Sequence, residues 1–399
     1  MGASLKDVAA RAGVSVRTVS NVVNDFPLVA PETRRRVQIA LEELRYRPNV
    51  AARRLRAGRS GLIGLVIPEI DSPYFGELAS LLVQAAQEHG WTLLVDQTNG
   101  DPEHERRLLE GMPGQLVDGL IMSPWGLSPV DLRRNADAVP LVLLGEQDAA
   151  GLIDHVSVNS VLAAAEATAH LIGLGRRRIA AIGVQPHLAN GTAEQRLTGY
   201  RQALRAAGIP HDPALEVPVT TLHRDEGARA MRRLLDGDRV PDAVFCFSDQ
   251  LALGALRAAL EHGLSVPRDL AVCGFDDIED GRYATPSLTT VAPDKAEIAR
   301  QALVCLADRL EARRSAHGSV DLDDAGMVAR VEGSSPSTRR IVASHRLVVR
   351  ESTAGRARKS TGNHPAGSDF AILTRRIVRW SKRSSSEEQA NTWPVTGPQ

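Results

Sequence analysis

The sequence predicts an all-α head followed by an α/β core that is built of two similar subdomains with parallel sheets. The first 44 residues show short amphipathic patterns with the period of helices. From Gly61 to about Val291, apolar strand patterns alternate with helix patterns, which is typical of βαβ units. The alternation restarts near Ala163, so we expect two successive subdomains. A chain of 399 residues is long enough for two or three domains.

The head is predicted to contain a helix-turn-helix. A first helix pattern begins at Leu5 and ends before Gly13, which tolerates the positive φ of a tight turn. A second pattern follows Ser15, which is a favourable N-cap residue. A third amphipathic helix is predicted over Thr33–Leu44. Two short helices joined by a glycine turn form the motif whose second helix docks in the major groove of DNA.

The charge distribution supports a DNA partner over an ordinary helical hairpin. Residues 1–60 contain twelve Lys or Arg and five Asp or Glu, a net charge of +7. Because the whole chain has a formal net charge of zero, residues 61–399 carry −7. A basic head is the electrostatic footprint of a phosphate-binding module. After Pro48, residues 49–57 predict a short basic helix that needs a partner, because isolated helices of this length are unstable in water.

The run from Leu5 to Val66 resembles the LacI/GalR (lactose-repressor) family of bacterial transcription regulators. The resemblance rests on Thr18-Val19-Ser20, on Arg47-Pro48-Asn49 and on Ser60-Gly61-Leu62-Ile63-Gly64-Leu65-Val66, and it continues to about Thr353. It implies a periplasmic-binding-protein-like arrangement of the two α/β subdomains. The domains that it implies are a helix-turn-helix DNA-binding domain over 1–48, a hinge helix over 49–60, and an effector-binding and dimerisation core over 61–355. Within that core we expect a first subdomain of about 61–158 and 291–325, and a second of about 159–290 and 340–355.

The resemblance also assigns DNA contacts. Arg17 can donate hydrogen bonds to guanine, and Val16 can meet a thymine methyl group. Asn21 is the third predicted base reader, although a phosphate contact or a plain surface position remains an alternative for it. The predicted phosphate contacts are Ser15, Thr18, Ser20 and Asn24. In the hinge, Leu55 is expected to wedge into the minor groove, or to contact the partner's hinge helix, with Ala52 and Arg54 beside it.

A ligand cleft is predicted between the two subdomains. Open parallel sheets bind ligands outside the carboxyl ends of their strands, and polar residues follow several predicted strands here. Carboxylates accept hydrogen bonds from hydroxyl groups, Arg donates them, and aromatic faces cover apolar sugar faces. These groups suit a polyhydroxylated or a heterocyclic ligand, and we expect a small-molecule effector that is sugar-like. The predicted effector-binding residues are Ser72, Tyr74, Phe75, Ser123, Arg196, Leu222, Ser248, Asp249 and Asp276.

Some of these positions match the family's pattern and others depart from it. The resemblance places Arg196 at the effector-contacting arginine and Asp276 at the first acid of the Gly-aromatic-Asp-Asp motif. Ser248 replaces an Asn found within the family. Leu222 stands where several members have a ring-stacking Phe or Trp, and Pro293 stands where a ligand-contacting Gln occurs. The effector class is therefore left open at this point.

The expected mechanism is that of an effector-responsive repressor. A homodimer would bind a pseudo-palindromic double-stranded operator, and effector binding would change the affinity for DNA. Three other interpretations are open to such a sequence. A sugar-transport protein would need a signal peptide and no helix-turn-helix. An enzyme would need a catalytic motif, and no P-loop, nucleophile elbow or His-x-x-x-His pair is present. A DNA-binding protein could also have lost its effector response. We expect no enzymatic activity, cofactor or metal.

The remaining predictions concern compartment and the C-terminal part. Three widely spaced Cys, the lack of an apolar stretch of transmembrane length and the lack of a signal-peptide pattern indicate a cytoplasmic protein with no membrane partner. Residues 312–340 are predicted to form a long loop. Ile341-Val342 and Leu347–Arg350 then resemble the last strand of the family. The polar tail over 356–399 is predicted to be disordered.

Overall fold

The computed structural model describes residues 3–23, 26–46, 60–110, 117–134, 139–147, 151–188, 191–318 and 337–355. The chain divides into an N-terminal unit, Met1–Gly61, and a larger unit, Leu62–Gln399. None of the helices in the described ranges is long and apolar enough to cross a membrane. The hinge-helix prediction over 49–60, apart from Ser60, and the tail prediction over 356–399 lie outside the described residues.

The N-terminal unit contains the predicted helices, which are α1 (Leu5–Ala12), α2 (Val16–Val23) and α3 (Pro31–Glu43). A capping box begins α1, because the backbone N–H of Asp7 donates to Ser4 Oγ while the backbone N–H of Ser4 donates to the Asp7 carboxylate. Gly13 ends α1 with a φ of +64°, a conformation that favours glycine. The shared core of the three helices consists of Val8, Ala9, Ala12, Val19, Val22, Val37 and Ala40.

The larger unit alternates strands and helices. Its strands are, in chain order, β1 (Leu62–Ile67), β2 (Thr92–Gln97), β3 (Gly119–Met122), β4 (Leu141–Leu144), β5 (Asp154–Val158), β6 (Ile179–Val184), β7 (Glu216–Pro218), β8 (Ala243–Cys246), β9 (Ala271–Phe275), β10 (Thr289–Pro293), β11 (Arg340–Ala343) and β12 (His345–Val348). Its helices are α4 (Pro73–Glu88), α5 (Pro102–Leu109), α6 (Pro129–Arg134), α7 (Ser160–Gly173), α8 (Thr192–Ala206), α9 (Arg224–Leu235), α10 (Asp249–Glu261), α11 (Glu279–Tyr283), α12 (Lys295–Gly318) and α13 (Glu351–Ala354).

These elements form two six-stranded sheets with related strand orders. The first sheet has the order β11-β5-β4-β3-β1-β2, and all its pairings are parallel. The second sheet has the order β12-β10-β9-β8-β6-β7 and is parallel except for β12, which pairs with β10 in the antiparallel sense. The predicted α/β core of two subdomains with parallel sheets is therefore confirmed.

Helices cover both faces of each sheet, which is why the central strands are continuous apolar runs. In the first subdomain α4 and α12 pack on one face, and α5 and α6 pack on the other. In the second subdomain α7 and α8 cover one face, and α9 and α10 cover the other. The core strand β1 is almost wholly buried, whereas the edge strand β2 leaves Leu94 and Val95 exposed. Each subdomain thus has three layers, and the carboxyl ends of its strands are free to form a site.

The C-terminal part differs from the sequence prediction in three respects. The predicted loop over 312–340 is wrong for 312–318, because α12 continues through Gly318 on residues such as Ala312 and Arg313 that favour helices. Residues 319–336 of that prediction lie outside the described ranges. The predicted single last strand is two strands, β11 and β12, in different sheets. The subdomain boundaries differ as well. Strand β10 belongs to the second sheet, although the first subdomain was expected to resume at 291, and β11 belongs to the first sheet, although the second subdomain was expected to resume at 340.

Candidate functional site

The first candidate site is the exposed side of α2 in the N-terminal unit. Ser15 begins this helix as predicted, because its Oγ accepts a hydrogen bond of 3.0 Å from the backbone N–H of Thr18. Val16 and Arg17 are exposed on the first turn, and the exposure of the apolar Val16 side chain does not stabilise the fold. Asn21 is partly exposed one turn later. The helix therefore presents the predicted base readers on its outer side, while Val19 and Val22 of the same helix are buried in the core of the unit.

The other predicted DNA contacts are divided between described and undescribed residues. Thr18 and Ser20 are partly exposed on α2, and Ser15 is exposed at its start. Four predicted contacts lie outside the described residues, namely Asn24, Ala52, Arg54 and Leu55. Their assignment as phosphate, hinge and minor-groove residues stays a prediction.

The second candidate site is a cleft in the larger unit, formed at the strand ends of both sheets. It encloses about 950 Å³ of empty space, part of which is open to solvent. A concave site with apolar and aromatic walls and a few convergent polar groups is typical of small-molecule binding. The structure brings eight of the nine predicted effector residues to its lining, namely Ser72, Tyr74, Phe75, Ser123, Arg196, Leu222, Ser248 and Asp276. Asp249 is the exception.

Arg196 on α8 is the cationic group of the cleft. Its Nη1 donates to the carbonyl oxygen of Phe247, and its guanidinium carbon lies 3.7 Å from the centroid of the Phe275 ring. The Arg196 side chain is about nine-tenths buried, yet its Nε has no hydrogen-bond partner among the residues that the structure describes. A buried donor without a partner is costly, so this N–H is an unsatisfied polar group in the wall of the cleft.

Asp276 follows β9 and lies beside Arg196. One carboxylate oxygen is 3.8 Å from Arg196 Nη2, which is an ion pair without a direct hydrogen bond. The backbone φ of Asp276 is +115°, which is rare for a residue with a side chain. Burial raises the pKa of Asp276 to about 6, the charges of Arg196 and Lys295 offset this only in part, and the charge of Glu146 adds to it. The carboxylate therefore has hydrogen-bonding capacity that the described part of the chain leaves unused.

Asp249 lies behind the cleft rather than in it, contrary to the sequence prediction. Its carboxylate accepts hydrogen bonds from Thr290 Oγ1 at 2.6 Å and from the backbone N–H of Ile278 at 2.9 Å. Burial, reinforced by the charge of Asp276, raises the pKa of Asp249 well above its usual value. The prediction failed because Asp249 is the first residue of α10, where the side chain turns inward to fix the loop that carries Asp276. Asp249 is therefore a positioning residue.

Ser248 and Leu222 are tied together at the second subdomain's side of the cleft. Ser248 Oγ donates to the carbonyl oxygen of Leu222 at 2.9 Å and accepts from the backbone N–H of Leu251 at 3.1 Å, so it caps α10. The aromatic part of the opposite wall is provided by Tyr74, Phe75 and Trp125. The ring centroid of Phe75 lies 5.2 Å from that of Tyr74 and 6.0 Å from that of Trp125. These rings offer an apolar surface next to the polar groups.

The sequence prediction missed Glu146. This residue follows β4, and its two carboxylate oxygens accept hydrogen bonds of 2.6 Å from Ser160 Oγ and from Thr192 Oγ1. All three residues line the cleft. Thr192 begins α8 of the second subdomain, so Glu146 connects the two walls. Glu146 could have been found in the sequence, because it follows β4 and ligands bind outside the carboxyl ends of the strands of a parallel sheet, a rule that was applied to other strands.

Two more glutamates of the first subdomain reach across the cleft. Glu69, which follows β1, lies 3.0 Å from His223 Nε2 of the second subdomain. Glu77 on α4 accepts a hydrogen bond of 3.0 Å from the backbone N–H of Glu279 and also pairs with Lys295. These contacts hold the two walls together in the state that the structure describes.

Comparison with known proteins agrees with this architecture. Residues 4–49 match the family model described as bacterial regulatory proteins, lacI family. Residues 168–353 match the model of a periplasmic binding protein-like domain. The first match covers the helix-turn-helix, and the second covers most of the second subdomain and both of the final strands.

Individual relatives extend over more of the chain. The HTH-type transcriptional repressor PurR of Haemophilus influenzae (strain PittEE) is 34% identical over 312 residues, which are 77% of this chain and 91% of that protein. The transcriptional regulator CelR in complex with cellobiose is 32% identical, with a TM-score of 0.61 over 88% of this chain and 99% of its own. The Lac repressor dimer bound to operator and the anti-inducer ONPF is 26% identical, with a TM-score of 0.73 over 88% and 99%.

A helix-turn-helix followed by a two-subdomain cleft defines a DNA-binding, ligand-binding regulator of transcription. The relatives that match most of the chain are such regulators by name. The chain belongs to the lacI family of bacterial regulatory proteins.

Proposed function

We propose that this protein is a repressor that binds a pseudo-palindromic operator as a homodimer, and that a sugar-like effector in the cleft changes its affinity for DNA. The observation that carries the effector proposal is the pair formed by Arg196 and Asp276. Arg196 Nε is a buried donor without a partner in the described structure, Arg196 Nη2 lies 3.8 Å from a carboxylate with unused acceptor capacity, and aromatic rings line the same cleft. Neighbouring hydroxyl groups of a sugar fit such a pair. CelR in complex with cellobiose is a relative with a bound sugar.

The DNA-binding role is supported by the exposed side of α2. Arg17 offers a bidentate donor that suits guanine, and Val16 offers an apolar contact for thymine. Asn21 is proposed as the third base reader. The hydroxyl groups of Thr18 and Ser20 would position the helix on the phosphates without specifying sequence. In this proposal 1–48 is the DNA-binding domain and 49–60 is the hinge that transmits the state of the core.

The homodimer is supported by exposed apolar residues on one edge of the first subdomain. Val83 on α4 and the edge-strand residues Leu94 and Val95 are all more than one-third exposed. Exposed apolar side chains on adjacent elements mark an interaction surface. The Lac repressor structure is that of a dimer bound to operator. Two copies of the head match the symmetry of a palindromic site. Binding to DNA would place the protein in the cytoplasm.

Fluorescence anisotropy with DNA fragments from around its own gene tests the proposal. We expect tight, salt-dependent binding to one palindromic fragment, and a change of that affinity when one member of a panel of sugars and nucleobases saturates the cleft. Because the coupling is reciprocal, the operator should change the effector affinity by the same factor. Specific DNA binding that no effector alters, despite measurable effector binding, would contradict the coupling.

Arg17→Ala tests base reading with a matched control. We expect this change to weaken binding to the best fragment by about tenfold and to relax the preference at one base pair, since a bidentate contact contributes about 1–3 kcal/mol of discrimination. Arg35→Ala removes one exposed positive charge from α3 and should weaken binding to all sequences alike. Equal losses on specific and unrelated DNA in the Arg17 variant would assign Arg17 to phosphate binding.

A further inference from the structure

We propose that Glu146 makes the cleft selective for a sugar that carries a protonated amine, and that an amino sugar is therefore the class of effector. This inference rests on the proposed sugar effector and specifies its charge. It comes from the position of Glu146 between Ser160 and Thr192, where a ligand in the cleft meets a carboxylate that both subdomains hold in place.

The lining of the cleft carries more negative than positive charge. Glu69, Glu146 and Asp276 face it as acids, and Arg196 is the cationic side chain among the lining residues. Arg196 is already beside Asp276, and Glu69 is beside His223. Within the described ranges, Glu146 has no Lys, Arg or His within 4 Å. Its charge is therefore left for a ligand to neutralise.

The hydrogen bonds of Glu146 leave room for such a ligand. Ser160 and Thr192 each donate one hydrogen bond to a different carboxylate oxygen. Each oxygen of an ionised carboxylate can accept a further hydrogen bond, and both current donors are neutral hydroxyl groups. An ammonium group would supply the missing donor together with the missing positive charge, and such charge-assisted hydrogen bonds are about twice as strong as neutral ones.

The charge of Glu146 also acts on the rest of the cleft. It raises the pKa of both Asp276 and Tyr74, two groups that line the same space. Lys295 offsets only part of the rise in the pKa of Asp276, and its ammonium group pairs with Glu77 and donates to the carbonyl oxygen of Asp277 rather than to Glu146. A phosphorylated or carboxylated sugar would add a further negative charge to this environment and should be disfavoured.

The remaining groups fit the hydroxylated part of the same ligand. Arg196 Nε is a buried donor without a partner in the described structure, and Asp276 has an acceptor to offer. The aromatic rings of Tyr74, Phe75 and Trp125 can lie against the apolar face of the sugar. The cleft thus divides into a hydroxyl-binding end at Arg196 and Asp276 and an ammonium-binding end at Glu146.

Isothermal titration of the full-length protein at pH 7 with matched sugars tests the inference. The probes are glucose, galactose and cellobiose, their amino counterparts glucosamine, galactosamine and the glucosamine disaccharide, the N-acetyl forms of these amino sugars, and glucose 6-phosphate. Within the pair that binds, we expect the amino sugar to bind at least about tenfold more tightly than the neutral sugar and its N-acetyl form. Glucose 6-phosphate should bind more weakly than glucose.

Glu146→Gln should reduce the tenfold preference for the amino sugar to less than about threefold, and this ratio is read independently of any change in the affinity for the neutral sugar. Thr192→Val keeps the carboxylate and should keep the preference. Glu88→Gln, at an exposed position on α4, is the matched control for loss of one negative charge and should change neither affinity. The ranking in the wild-type chain tests the proposal even where Glu146→Gln lowers the yield of folded protein.

Each other outcome is decisive. Neutral sugars that bind as tightly as their amino counterparts would overturn the inference and leave the proposed sugar effector intact. A preference for the amine that survives Glu146→Gln would remove Glu146 from this role. No binding by any sugar would overturn the sugar effector and the inference together.

Discussion

The two walls of the cleft come from sheets with related strand orders, yet their polar groups have different partners. On the first subdomain's wall, Glu69, Glu77 and Glu146 each contact a donor on the second subdomain. On the second subdomain's wall, Arg196 and Asp276 keep a donor and an acceptor that the described chain does not use. The comparison indicates a division of roles, in which the first wall holds the cleft closed and the second wall recognises the effector's hydroxyl groups.

This division gives a physical link between binding and closure. A ligand can shift a conformational equilibrium only by the difference in its affinity for the two states. A ligand that engages Arg196 and Asp276 on one wall and Glu146 on the other is fully bound only when the walls are together. The contacts of Glu69 and Glu77 then set how far the closed state is populated before the ligand arrives.

The largest expected effect comes from Arg196→Ala. It removes the cationic group of the recognition wall and leaves Asp276 buried without its nearest positive charge. We expect the affinity for the best sugar of the panel to fall at least about 100-fold, since hydrogen bonds to charged groups contribute about 1.5–3 kcal/mol each. Isothermal titration measures the loss.

Arg257→Ala is the control for this experiment, because Arg257 is an exposed arginine on α10 that pairs with Glu261 within the same subdomain. Its effector affinity should equal that of the wild type. A loss of less than tenfold in Arg196→Ala would contradict the assignment of recognition to the second wall.

The next effect concerns the support of that wall. A Cβ atom at Gly274 would lie 2.1 Å from Asp249 Oδ1, so Gly274→Ala must displace the carboxylate that holds Thr290 and Ile278. We expect the free energy of unfolding to fall by about 2 kcal/mol, because buried hydrogen bonds are lost and a buried polar group is left poorly satisfied. Urea denaturation measures this change.

Gly237→Ala provides the comparison, since a Cβ atom there would lie 3.4 Å from the nearest atom and the position is exposed. It should leave stability within about 0.5 kcal/mol of the wild type. If Gly274→Ala were equally well tolerated, Asp249 would not be the support of the loop that carries Asp276.

The sequence predicted the second subdomain's wall (the recognition wall) better than the first subdomain's wall (the closing wall), and the reason is physical. Asp276 follows from its position at the carboxyl end of a strand together with the family pattern, and Arg196 follows from the family pattern. Asp249 satisfies the same rule in sequence but turns inward, because a side chain at the start of a helix can face either the cleft or the core. Glu146 also obeys the rule, but its role depends on Thr192, which is 46 positions away and meets it only in the folded chain.

The same limit explains the errors in the fold prediction. Strand β1 is recognisable as a buried apolar run, and the helix-turn-helix is set by local signals at Gly13 and Ser15. The assignment of β11 and β12 to different sheets has no local signal, because two neighbouring short strands look like one interrupted strand. Pairing over long sequence separations decides between these possibilities.

A smaller expected effect is the contribution of Asp276 to the pH dependence of the free energy of unfolding. Its pKa is raised to about 6, above the usual value of 3.8, so its contribution to stability is present at low pH and is lost as the pH rises through about 6. Between pH 5 and 7.5 we expect this carboxyl group to lower the free energy of unfolding by about 1 kcal/mol. Asp276→Asn should remove that part of the pH dependence, as followed by urea denaturation at both pH values.

The control for the pH experiment is Asp238→Asn, which changes an exposed acid in the same subdomain. It should retain the wild-type difference between the two pH values. If Asp276→Asn retained that difference as well, Asp276 would be ionised throughout this range, and the recognition wall would be less enclosed than its burial indicates.

The smallest effect tests the closing wall directly. The contact between Glu69 and His223 is partly exposed. We therefore expect Glu69→Gln to leave stability almost unchanged and to weaken effector binding by about two- to threefold, because partly exposed polar contacts contribute less than about 1 kcal/mol. Glu261→Gln changes a more exposed ion pair, with Arg232, within the second subdomain and should leave effector binding unchanged. Isothermal titration of both variants separates closure from general electrostatics. Equal affinities in the two variants would mean that the contact of Glu69 across the cleft does not stabilise the closed state, and the role of holding the walls together would then fall to Glu77 and Glu146.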